Sequence, residues 1–141
     1  MAIKLSYTQL LDEIQPSLEI LGDLTYGEET PISHLLNIAE NLKLIEDKAK
    51  IFWTTREKLL EPYIEKDEDG KNKTEMKLNP MGEKVAEFLL TDENKVLWMK
   101  KFEELRQTKV SINLNKLDTK HFEGAKDVKA NDLKACWELL K

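Results

Sequence analysis

Starting at Leu35, apolar side chains recur at every third or fourth position: Leu35, Ile38, Leu42, Ile45, Ala49, Phe52, Leu59 and Tyr63, with Arg56 in the same row. That spacing is one face of an α-helix. Just upstream, Thr30 offers a hydroxyl N-cap and Pro31 a first helical residue that needs no N–H. The pattern therefore predicts a helix of about eight turns from there towards Leu60, with Pro62 at its end. Ala39, Trp53 and Leu60 widen its apolar stripe. A helix of that length serves as a spine for shorter elements. The Arg56 stem lines the seam while its head reaches solvent or a carboxylate. The row Leu42, Ile45, Ala49, Phe52, Arg56 and Leu59 also admits a second copy of the chain, a homo-oligomer in which Arg56 would set the register. Other amphipathic helices of the same chain are on hand to fill the seam, and the intrachain option is preferred.

Ile3-Lys4-Leu5 alternates and reads as a short strand near the N-terminus. Leu10, Leu11, Ile14, Leu18 and Leu21 return to helical spacing, interrupted by Pro16. An interior proline costs a helix roughly 3 kcal/mol, so either this helix is kinked or a second one begins with Pro16 in its first turn. Gly22 is a suitable stop, and Asp23 to Glu29 read as a loop. "EKDEDGKNKT", Glu65 to Thr74, is the clearest turn, with Tyr63, Ile64, Met76 and Leu78 as strand material on either side. Residues 65–79 are expected to form a hairpin or a flexible loop, ended by Asn79-Pro80. Val85, Ala86, Phe88 and Leu89 then read as a short helix.

Thr91-Asp92-Glu93 starts another helix, with a capping hydroxyl and two carboxylates at the positive end of the dipole. Trp98, Phe102 and Leu105 form its stripe, with Met99 beside them. From Lys109 the period changes to two: Val110, Ile112 and Leu114 alternate with Ser111, Asn113 and Asn115, a half-buried strand over 109–115 that the Ile3 segment could pair with. A last helix from Asn131 or Asp132 carries Leu133, Cys136, Trp137 and Leu140. The expected class is mainly α with a minor antiparallel β component, α+β, in one domain of residues 1–141.

Composition narrows the function classes. A chain of 141 residues, 35% charged and 40% apolar, fits a soluble globular protein able to bury a core without staples. It has no apolar run near the ~18 residues of a membrane span, so no membrane partner is expected. With no basic segment followed by a long apolar run in its first residues, no secretory signal is expected, and the single Cys136 cannot close an internal disulfide. The expected location is the cytosol, hence cytoplasmic. The net charge of −5 lies wholly in the first thirty residues, where Asp12, Glu13, Glu19, Asp23, Glu28 and Glu29 face Lys4 alone. That distribution disfavours direct nucleic-acid binding, which needs a basic footprint, and suits a basic protein partner. The competing reading is an ordinary solvated helix face.

Candidate chemistry is thin. His34 and His121 are far apart with no cysteine or carboxylate at metal spacing, and His34 is expected at the surface. Cys136 shares a stripe with Leu133 and Leu140, as a small core residue would. Asp67, Asp69 and Asn72 miss the spacing of a calcium loop. No phosphate-cradling glycine motif occurs among five glycines. No catalytic residue, metal or cofactor is expected. The tryptophans sit at stripe positions, and an exposed Trp53 would anchor an interface.

The string "PISHLLNIAENLKLIEDKAKIFWTTREKLLEPYIEKDEDGKNK" resembles a family of small helical proteins of unknown function from bacteriophages and prophages. Those chains open on a short strand ("IKLS" here), then one helix, then a loop and proline that begin a long charged helix ending in an "EKDEDG"-like turn. The tail is similar as well, in "KVSINLNKL" and "NDLKACWELL", while residues 78–91 read as an extra segment. The resemblance implies a phage or mobile-element origin and supplies no catalytic residues. It implies a non-enzymatic protein that binds a host or phage protein. In size and charge the chain is similar to inhibitors of CRISPR RNA-guided nucleases, the anti-CRISPR proteins. On that reading the six carboxylates dock near a positive channel. The rival expectations are a virion assembly or scaffold protein that self-associates through the long-helix seam, and a nucleic-acid-binding accessory protein.

Overall fold

The computed structural model describes residues 2–24 and 26–122. The helix expected from Asn131, with Cys136 and Trp137, lies outside the described residues. The described residues form two compact units, one from residues 2–52 together with 106–122, the other from Trp53–Leu105. The class is α+β, with a long helix and two small antiparallel sheets.

In the first unit, β1 (Ile3–Ser6) leads into a π-helical segment, Gln9–Ile14, and then α1 (Gln15–Asp23). The change of helix type answers the Pro16 conflict. A proline ring clashes with the carbonyl four residues back and has no N–H to give. Widening the preceding turn shifts the pairing, so that Gln15 N–H donates to Leu10 O, and Pro16 falls in the first turn of α1, where its missing donor costs nothing. Gly22 stays inside α1, which ends one residue later.

The long helix, α2 (Ile32–Leu60), begins one residue after Pro31 and is followed by a 3-10 turn, Glu61–Tyr63, containing Pro62. β4 (Lys109–Ile112) pairs antiparallel with β1 in the register Ile3↔Ile112 through Ser6↔Lys109. Leu10, Ile14, Leu18 and Leu21 pack with Ile38 and Ile45 of α2 and with Leu5, Ile112, Leu114, Leu117 and Phe122. Each such side chain contributes about 1.5–3 kcal/mol by leaving water. The Tyr7 ring meets Phe52 at 4.9 Å.

Asn41 is polar and completely buried in this core. Its Nδ2 donates to Asn115 O at 2.9 Å, and its Oδ1 accepts from Asn115 N–H at 2.7 Å. The pair satisfies the backbone of an irregular segment that has left the sheet after β4, which tethers that segment to α2.

The second unit contains the end of α2, a hairpin and α3 (Asp92–Gln107) up to Leu105. The turn at Asp67 forms as its residues suggest. Asp67 Oδ1 accepts from the N–H groups of Asp69 and Lys71, and Gly70 takes a φ of +80°. The expected hairpin closes around this turn, with an antiparallel bridge between Lys66 and Asn72 and Lys73 N–H donating to Glu65 O at 2.8 Å, and a second hairpin follows in which β2 (Thr74–Leu78) pairs with β3 (Lys84–Phe88). The short helix expected over Val85 to Leu89 is therefore a strand. The deciding signal is the Asn79–Gly82 turn, where Asn79 Oδ1 accepts from Met81 and Glu83 N–H and Gly82 sits at φ +81°. Thr91 caps α3 through a bond from Asn94 N–H to its Oγ1, 3.1 Å.

Candidate interaction surfaces

All six carboxylates of the acidic opening are exposed, and their surroundings differ. Asp12 pairs with Arg106 at 3.2 Å, which cancels its charge locally. Glu28 and Glu29 lie in the turn before α2, and neither they nor Glu13 line the groove between α1 and α2. Glu19 and Asp23 are brought together. They stand one helical turn apart on α1, at the edge of a groove of about 450 Å³ between α1 and α2. Leu35, Ile38, Ala39 and Leu42 supply its apolar side.

Gly22 opens this groove. A methyl group in its place would meet Ile38 Cγ2 at 3.5 Å and Leu42 Cδ1 at 3.6 Å, ordinary contact distances that take up space now open. A helical glycine costs roughly 1 kcal/mol relative to alanine, so the space is obtained at some expense to α1.

The seam offered to a second copy is occupied by the chain itself. Ile45 and Phe52 are buried, and Leu42 and Ala49 are half-buried within the first unit. Self-association through that row would require exposing the core. In the second unit, Leu59 and Arg56 are half-buried. Arg56 reaches no carboxylate among the described residues. Its guanidinium lies over aromatic rings, 5.3 Å from Phe102, 5.6 Å from Trp98 and 5.8 Å from Trp53. Trp53 itself is half exposed.

His34, expected at the surface, is 3% exposed. Its ring packs against Tyr26 at 5.2 Å, Phe122 at 5.0 Å and His121 at 4.6 Å. Its Nε2 has no hydrogen-bond partner. Burial, and then the neighbouring His121, push the imidazole below its usual pKa against an opposing pull from Asp118. The same burial pushes the Tyr26 hydroxyl up to about 12, and that hydroxyl donates to Leu21 O at 2.6 Å. A neutral, enclosed His34 is a packing residue. Among the described residues no group of three or more metal-ligating side chains occurs, and no helix is long and apolar enough to cross a membrane.

Two surfaces with chemical character among the described residues are thus the acid-edged groove of the first unit and the arginine–aromatic cluster of the second. The sequence pointed to Glu19 and Asp23 by charge. It gave no sign of the groove, because the opening depends on Gly22 lying beside Leu42. No family model matches the chain, and neither a curated protein nor a solved structure matches it.

Proposed function

We propose that the chain is a non-enzymatic binding protein whose α1–α2 groove receives a basic segment of a protein partner. The observation that carries this reading is the apolar surface of Leu35, Ile38, Ala39 and Leu42 with Glu19 and Asp23 on its edge. An apolar anchor flanked by lysine or arginine fits such a groove: the anchor supplies affinity and the charges supply orientation and encounter rate. The acidic excess of the first thirty residues acts in the same sense. Joined to the phage-family resemblance, this makes the partner a host defence factor, and most concretely a CRISPR RNA-guided nuclease, whose heteroduplex channel is strongly positive. Two rim carboxylates are few for a mimic of DNA, so the inhibition is steric or conformational. The rival assembly reading loses support because its seam is filled by core contacts.

The test is affinity capture from lysate of a CRISPR-bearing bacterium, with Glu19→Lys/Asp23→Lys as control and mass spectrometry as readout. The reading expects a basic defence nuclease in stoichiometric amount with the parent chain and its loss with the control. Recovery of that nuclease equally by both proteins would remove the groove from the account. Recovery of virion proteins alone would replace the inhibitor reading with assembly.

A further inference from the structure

Arg56 stands beside a cavity of about 360 Å³ in the second unit, bordered by Leu60, Ala86, Phe88, Leu90 and Trp98. The rings of Trp98 and Phe102 are stacked, with centroids 5.5 Å apart and planes 19° from parallel, and the guanidinium lies within 6 Å of both. A guanidinium is planar. Ring contacts use its faces, and its in-plane N–H donors stay available for a carboxylate fork. No carboxylate among the described residues takes them.

Glu87 also borders the cavity, but strand alternation turns its carboxylate away. The hairpin register pairs Met76 with Ala86 and Thr74 with Phe88 on one face, and Glu75 with Glu87 on the other. On that second face Lys77 holds both acids, Glu75 at 3.1 Å and Glu87 at 3.4 Å. With Glu87 held by Lys77, Arg56 is the charged side chain left to meet a ligand in the cavity, beside the side chains of Leu60, Phe88, Leu90 and Trp98. Met76, 62% exposed, continues the apolar surface beyond Ala86.

We propose that this cavity binds a small aromatic carboxylate, with the carboxylate on Arg56 and the ring against Trp98 and Phe88. Inorganic phosphate would leave the Phe88 and Trp98 rings unused. A neutral aromatic would leave the guanidinium without an acceptor. The acid matches both features, and the volume falls in the range of small-molecule sites.

The probe is 3-phenylpropanoate, titrated into the full chain beside its neutral amide, with the Trp98 indole N–H resonance and calorimetry as readouts. The acid is expected to bind saturably at millimolar concentration or tighter, and the amide about tenfold more weakly or worse. Arg56→Gln is expected to lose the same factor, and Arg56→Lys to recover only part of it, because an ammonium has no fork. Ala86→Trp changes an exposed hairpin position and is expected to block the cavity without disturbing the ring cluster. No saturable change at Trp98 with about 10 mM acid would overturn the proposal. Equal binding of acid and amide would do the same, as would parent-like binding by Arg56→Gln or by Ala86→Trp. Should Arg56→Gln fail to fold, the acid–amide comparison on the parent chain and the Ala86→Trp variant decide the matter.

Discussion

Replacing Asn41 with alanine removes two hydrogen bonds from the buried middle of α2 and strands both backbone groups of Asn115. Each neutral bond contributes about 1 kcal/mol net, and each orphaned buried group costs about 1–3 kcal/mol. Asn115 is only half-buried, so water relieves part of that cost and the lower end applies. Two bonds and two orphaned groups at about 1 kcal/mol each are overlapping costs that bracket the loss between about 2 and about 4 kcal/mol, with about 3 kcal/mol as the central expectation. At a urea slope of about 1.5 kcal/mol/M this moves the unfolding midpoint down by about 2 M. Asn41→Leu keeps the volume and loses the same bonds, so it should fall close to alanine, which separates hydrogen bonding from packing. Far-UV circular dichroism in urea gives the midpoints, and hydrogen exchange at the Asn115 amide reports the bond itself. A loss below ~1 kcal/mol in both variants, with Asn115 still protected, would refute the assignment of Asn41 as the tether.

Three further outcomes are expected. Gly22→Ala should stabilise the chain by about 0.5–1 kcal/mol and raise Tm by roughly 2–4 °C, while narrowing the groove and weakening any partner seated in it. Because His34 has its pKa lowered in the fold, the unfolded chain binds the proton more readily. Stability is therefore full above the unfolded value of about 6.5 and declines as pH falls through that value towards the depressed one; His34→Phe should flatten this slope in urea titrations at stepped pH. Thr91→Ala removes the cap on Asn94 and should cost about 1 kcal/mol, seen as fraying of the first turn of α3 by amide exchange.

The class, the long helix, the β1–β4 pairing and the Thr91 cap were legible because each follows from local pattern or capping chemistry. The inward face of α2 was read slightly rotated. Its deeply buried row is His34, Ile38, Asn41, Ile45 and Phe52, and two of these are polar, so hydropathy moved the seam towards Leu35 and Leu42. Those two line the groove instead. The segment over Val85 to Leu89 misled for the opposite reason. A two-stranded hairpin with little buried surface has no strong alternation, and only Asn79 and Gly82 marked its turn. Arg56 was visible as an anomaly in an apolar row, but its meaning depends on Trp98 and Phe102, more than forty residues on. Glu19 and Asp23 were visible as charge, and the groove they edge depends on tertiary contact.

The central claim is that Glu19 and Asp23 orient a basic partner over an apolar groove. Its most direct test is the affinity of the captured nuclease for the parent chain and for Glu19→Lys/Asp23→Lys, measured at low and at physiological salt. The account predicts that the parent complex weakens as salt rises and that the double reversal binds at least about tenfold more weakly at low salt, chiefly through slower association. Equal affinity of the two proteins at both salt concentrations, with the fold of the variant intact, would contradict it.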